Sequence, residues 1–435
     1  MIVGDVCRGE YPHNLQLAIL FIMRLRDLLF GSVLCGALTA SSPLIAGDWP
    51  QWRGPSRTGL STETGLLKAW PASGPKQLWL FRNAGKGYSG PAIAKGQLFT
   101  LGTRENKEIL LCLDAKAGRE TWATPIGTIL DNNWGDGPRG TPTVDGDRVY
   151  ALSGSGDLVC ARVTDGRILW QASMNDLGGK TPGWGFTESV LVDGDMVICT
   201  PGGSKGALAA LNKTTGQVVW RSEGFTEGAQ YASPIVIEHN GQRQYVQLTM
   251  KVLAGVSAKD GKVMWTSDWP GSTAVIPTPI HKDGFVYVTS GYGVGCKLVE
   301  LGKGDVARDV YENKVMKNHH GGVILLGDHL FGHSDGPGWV CQDFKTGEEV
   351  WASKEFGKGA IGYADGMFYC LEEATGAVAL IEATPKGWME KGRFTLEPQS
   401  EIRSSSGRIW THPVVSNGKL FLRDQDLIYC YDVEK

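Results

Sequence analysis

One phrase recurs along the chain and constrains its fold more than any other feature. An apolar run ends in a short polar turn with a glycine, and a tryptophan follows four residues after that glycine. The pairs are Gly118/Trp122, Gly166/Trp170, Gly216/Trp220, Gly261/Trp265 and Gly347/Trp351. Successive tryptophans stand 48, 50 and 45 residues apart, and the last step of 86 is two repeats. The skipped copy is CKLVELGKGDVARDVY, with Tyr311 in the tryptophan position. A seventh copy, FYCLEEATGAVALIE, has Gly376 and puts Leu380 there, and an eighth begins at LIYCYDVEK. Ahead of the phrase stand segments such as TPTVDGDRVYAL, SVLVDGDMVICT, TPIHKDGFVYVT and HPVVSNGKLFLR. Each reads as strand, Asp-Gly or Asn-Gly turn, strand. Four short strands per repeat, with no helical periodicity, predict an all-β propeller of four-stranded antiparallel blades. Seven full blades fit between residues 88 and 396, and an eighth has three strands after Trp410. The strand-like KQLWLFRN at 76–83 is expected to supply the missing outer strand, which closes the ring and removes its exposed edges.

The three expected parts are therefore 1–46, 47–75 and 76–435. The first reads as a secretory signal region starting at Met23, with Arg24 and Arg26 ahead of an apolar stretch from Leu28 to Ala40 and cleavage expected near Ala46. Arg24, Arg26 and Asp27 interrupt the apolar residues, which disfavours a membrane span. The expected location is periplasmic or secreted. The stretch 47–75 carries Trp49, Trp52, Leu66, Leu67 and Trp70, too apolar for a free linker, and is expected to pack on the propeller. A net charge of −3 with no basic stripe argues against a nucleic-acid partner. Nine cysteines in an exported chain raise the question of disulfides. Cys112, Cys160, Cys341, Cys370 and Cys430 share one position of the repeat, where other copies have alanine, glycine or leucine. That pattern predicts buried free thiols.

CLDAKAGRETW, ALNKTTGQVVW and CQDFKTGEEVW resemble the tryptophan-docking repeat of the quinoprotein-like propellers. The resemblance covers 76–435 and is carried by a spacing that recurs at least five times. It implies that Trp122, Trp170, Trp220, Trp265 and Trp351 are structural, each tying one blade to the next. One branch of that family is the PQQ-dependent alcohol dehydrogenases, which hold pyrroloquinoline quinone and Ca²⁺ on the propeller axis. Another is the non-enzymatic branch, such as the BamB-type scaffold of outer-membrane protein assembly. The opening DWPQWRGPSRTG also resembles secreted PQQ-like propellers of planctomycete-type bacteria. The chain lacks the adjacent cysteine pair of the enzymes and has nearly minimal blades. The resemblance thus implies first a monomeric, non-catalytic binding or scaffold module that offers its loop-rich axial face to an envelope protein, a carbohydrate or a polymer. The alternative it implies is a PQQ-dependent oxidoreductase acting on alcohols.

The loops leading into the innermost strands of a propeller converge on one face. Aligned on the turn that follows, the residues three before the proline position are Tyr88, Arg139, Thr187, Tyr231, Ile276, His320, Lys358 and Trp410. His412 belongs to a second ring two residues on, and nearby loops add Trp184 and Tyr292. These aromatic and cationic residues are the candidate ligand-binding set, suited to a planar anionic ligand such as PQQ or an anionic peptide or sugar. In a dehydrogenase, Glu188 or Asp136 would be the catalytic base, and Glu188, Asp136 and Asn132 the nearest oxygen ligands for Ca²⁺. No separate metal motif is present.

Overall fold

The computed structural model describes Met1, residues 47–304 and residues 306–435. The expected leader, save Met1, lies outside the described residues. Every regular element among them is a strand, and no helix is long and apolar enough to cross a membrane.

Eight antiparallel sheets form the ring. In blade 1, Ala92–Ala94, Gln97–Arg104, Lys107–Asp114 and Arg119–Thr128 pair in chain order from the axis outward. Blades 2 to 7 repeat this over 143–173, 191–221, 235–268, 280–313, 323–353 and 359–395. Blade 8 takes Val414–Ser416, Lys419–Asp424 and Leu427–Asp432 from the end of the chain and Lys76–Phe81 from its beginning. Eight apolar clusters fill the structure, one at each interface between neighbouring blades. The cluster that joins blade 8 to blade 1 holds Phe421 and Ile428 against Leu111 and Leu113.

The recurring phrase locks these interfaces. Trp122 donates its Nε1–H to Val163 O of the next blade at 3.0 Å, Trp170 to Lys213 O at 2.9 Å and Trp220 to Ala258 O at 3.3 Å. Tyr311 does the same through its hydroxyl, to Phe344 O at 3.0 Å. The following glycine must stay glycine for two reasons. Gly166 has φ +71°, and a Cβ there would stand 2.4 Å from Trp122. Two tryptophans depart from this scheme. Trp265 turns to Gln244 Oε1 of its own blade at 2.6 Å and lies over Gly255, where a Cβ would come within 2.2 Å of the indole. The Nε1 of Trp351 is buried without an acceptor.

The N-terminal strand completes the series. Trp79 stands opposite Cys430 at a register shift, as Trp122 stands opposite Cys112. It donates to Ala115 O of blade 1 at 3.2 Å and covers Gly118.

Blade 7 corrects the reading of the seventh copy. Gly376 follows the second strand of this blade, not the third, so Leu380 falls opposite Gly392 and the tryptophan position holds no side chain. Trp70 fills the gap from outside the repeat. It donates its backbone N–H to Lys391 O at 3.0 Å and lies over Gly392, with its ring against Phe394 and Tyr369. Cys370 accordingly sits one strand nearer the axis than Cys112, Cys160, Cys341 and Cys430. The seven described cysteines are all buried and unpaired.

Residues 47–61 plug the axis and touch the innermost region of every blade. Trp49 bridges Ile93 of blade 1, and Pro50 O accepts from Val144 N of blade 2. Arg57 reaches Ser189 O and Val190 O of blade 3 and Pro234 O at blade 4. Trp52 donates to Thr278 Oγ1 at blade 5, and Arg53 to Val323 O of blade 6. Leu60–Ser61 runs parallel to Gly359–Ala364 of blade 7, and Ser416 of blade 8 donates to Gly47 O. Both arginines are buried, and Arg53 and Arg57 hold positive φ values of 60° and 55°.

Candidate axial binding site

The plug floors a cavity of about 460 Å³ on the axis. All eight residues of the predicted ring line it: Tyr88, Arg139, Thr187, Tyr231, Ile276, His320, Lys358 and Trp410. The ring exists because each is the same residue of its blade, just ahead of the innermost strand. His412, Trp184 and Tyr292 line it as well. The hydroxyls below the ring stitch blade to blade. Ser189 Oγ accepts from Thr141 N at 2.8 Å, and Ser233 Oγ from Ser189 N at 2.9 Å.

Aromatic rings form much of the wall. Trp410 stacks on His320 at 4.7 Å and lies 4.9 Å from Tyr88. Trp184 meets Tyr231 edge-on at 5.6 Å, and Trp52 meets His412 at 4.7 Å. Trp134 and Tyr292 are 48% and 41% exposed, which places them at the rim.

The charged lining is one-sided. Arg53, Arg139, Lys358 and Arg408 face a single carboxylate, Glu373. Lys358 pairs with Asp335 at 2.8 Å and donates to His319 Nδ1. Arg139 bonds Gly135 O and Gly137 O of its own loop and lies 5.4 Å from the centre of the Tyr88 ring. Arg53, Arg139 and Arg408 have no ion-pair partner among the described residues, which leaves the cavity attractive to anions. The histidines add no charge at neutral pH. Burial lowers His319 and His412 to about 4, helped by the charges of Lys358 and Arg53 respectively, and puts His320 well below its ordinary value.

The two carboxylates expected as bases stand outside the cavity. Side chains alternate along an extended segment, so Thr187 points in and Glu188 points away. Glu188 is buried, accepts Thr200 N at 2.5 Å through Oε1 and leaves Oε2 without a partner. Asp136 pairs with Lys86 at 2.7 Å and accepts Asn132 N at 3.0 Å, which fixes the 130–137 loop. Asn132 is spent on Gly183 O and Trp134 N. Sequence reading also missed Trp52 and Arg53, contributed by the plug, and Glu373, from the turn after Met367–Glu372. The signal for the plug was the apolar content of 47–75, with Trp49 and Trp52 at its start.

Burial raises Glu188 from 4.5 to about 7. The folded state therefore holds this proton more tightly than the unfolded chain. The resulting penalty is absent below pH 4.5, grows as pH rises to 7 and is constant above. Glu188→Gln is expected to match the parent near pH 4.5 and to exceed its stability by about 3 kcal/mol at pH 8, read from urea midpoints. A difference independent of pH would contradict this.

The family model described as "Outer membrane protein assembly factor BamB" matches residues 106–353, more than half of the 435. The chain belongs to this family. The matched stretch ends with blade 6, so within the BamB-type family assignment the plug, Glu373, Arg408, Trp410 and His412 lie outside the matched residues. The outer membrane protein assembly factor BamB of Yersinia pestis is 24% identical over 225 residues, covering 46% of this chain and 52% of that one. The factor of the same name from Salmonella typhimurium is 32% identical over 130 residues, covering 30% and 27%. The chain thus spans about half the length, or less, of these relatives. Among solved structures, BamB from Moraxella catarrhalis superposes with a TM-score of 0.55 at 16% identity, covering 82% of this chain and 97% of that one. The quinohemoprotein alcohol dehydrogenase of Comamonas testosteroni gives 0.57 at 10% identity, covering 89% and 81%. At these identities the likeness is one of fold.

Proposed function

We propose that the chain is a non-catalytic binding module of the cell envelope that takes an anionic ligand in its axial cavity. The observation that carries this reading is the lining: four cations and one carboxylate around a space walled by aromatic rings. Its volume of about 460 Å³ falls in the range of small-molecule sites. Stacking surfaces supply area, and the guanidinium of Arg408 at the cavity supplies directed charge. The assembly-factor name of the family supports an envelope location and a binding role. The ligand is either free or a group displayed by an envelope partner or polymer.

A PQQ dehydrogenase is the competing reading, and the residues do not fit its Ca²⁺. That ion needs six or more oxygen ligands. Among the described residues no cluster of three His, Cys, Asp or Glu is disposed to hold a metal. Glu188, Asp136 and Asn132 each point to a different protein partner. Ca²⁺-dependent quinone binding with alcohol oxidation is the outcome this reading excludes.

A further inference from the structure

We propose that the ligand of the axial cavity is an acidic saccharide and that Glu373 is the acceptor for its hydroxyl groups. This rests on the axial cavity being a binding site and goes on to name what it binds.

Glu373 is out of place in a cavity that selects only for negative charge. Its backbone is pinned, with N donating to Lys358 O at 2.9 Å and O accepting from Ile409 N at 2.9 Å. The side chain is thereby held among the cations. One oxygen, Oε2, accepts Trp410 Nε1–H at 3.0 Å. The other accepts no hydrogen bond from the described residues. His320 Nδ1 lies 4.0 Å from Oε2 and is buried without a partner. The unspent oxygen is Oε1, whereas the oxygen nearest His320 Nδ1 is the one that Trp410 already occupies.

Three ligand chemistries can be weighed against this carboxylate. A flat aromatic polyanion without an N–H or O–H, such as naphthalenedicarboxylate, sets acceptor against acceptor at Glu373 and leaves a desolvated carboxylate unpaired. A neutral sugar satisfies Glu373 but brings no charge to Arg139 and Arg408, which bond only backbone carbonyls of their own loops. A sugar acid satisfies both. Its hydroxyls donate to the unspent Oε1 of Glu373 and can accept from a neighbouring cation at the same time. Its carboxylate meets a guanidinium in the bidentate geometry that arginine favours. The apolar face of its ring lies on the Trp410 platform, which His320 backs on one side and Tyr88 adjoins.

The test is titration of the full chain, followed by tryptophan fluorescence and calorimetry. The probes are trigalacturonate, the matched neutral galactotriose and 2,6-naphthalenedicarboxylate. Trigalacturonate is expected to saturate, with galactotriose at least about tenfold weaker for want of one charged hydrogen bond. Glu373→Ala is expected to weaken trigalacturonate about tenfold or more, and Glu373→Gln, which keeps an acceptor, to stay within about threefold of the parent. The probe comparison in the parent chain decides the matter even where a variant fails to fold. Naphthalenedicarboxylate binding more tightly than trigalacturonate, and tighter still in Glu373→Ala, would overturn the saccharide while leaving the binding site in place. Saturation by none of the three would overturn both.

Discussion

Trp70→Ala is expected to cost about 3–5 kcal/mol of stability, the range for truncating a buried tryptophan. Trp70 lies outside the repeat, yet it occupies the position that a blade tryptophan holds elsewhere. Its ring is buried against Tyr369 and Phe394, in a cluster with Leu66, Leu380 and Leu396. Gly392 beneath it has no side chain with which to refill the space, so the cavity persists. Urea unfolding of the variant beside the parent measures the loss. A loss below about 1 kcal/mol would mean that the extension is an ornament of blade 7 and not part of its core.

The second large effect is expected at Arg57. Its guanidinium serves Ser189 O, Val190 O, Pro234 O and Gln51 Oε1, all at 2.9 Å or less. Burial lowers this arginine to about 9, so it remains charged at neutral pH. Arg57→Met keeps much of the volume but strands several buried carbonyls at once. Each unsatisfied acceptor costs about 1–3 kcal/mol, so the expected loss is at least about 3 kcal/mol. The plug loosens in the same variant, and limited proteolysis within 47–75 accelerates while 76–435 persists longer. Unchanged cleavage would show that the other contacts of the plug hold it without Arg57.

The parts of this molecule that were legible in the sequence are those the chain repeats. The four-residue Gly-to-Trp spacing gave the blades, because within one turn the glycine receives the preceding blade's tryptophan and the next tryptophan goes on to the following blade. The residues ahead of each innermost strand gave the cavity wall, because the turn that follows fixes their register. What stayed hidden is what happens once. The plug draws a different contact from each blade, and no local pattern marks residues such as Val144 or Thr278 as its partners. Trp70 and Trp79 occupy repeat positions but reach them from the wrong end of the chain. The turn at Gly376 imitates the repeat one hairpin early, since Glu-Ala-Thr-Gly has the same polar-glycine character as Lys-Thr-Gly. Glu188 drew attention as an acid beside the ring, and the alternation of an extended backbone turned it away. Glu373, in an unremarkable turn, was turned inward.

Titrating the purified chain with PQQ, with and without Ca²⁺, while following tryptophan fluorescence and dye reduction by simple alcohols, tests the central claim of a non-catalytic binding cavity most directly. The account predicts that any quenching is indifferent to Ca²⁺ and that no dye is reduced. Saturable quenching that requires Ca²⁺, accompanied by alcohol-dependent dye reduction, would contradict it.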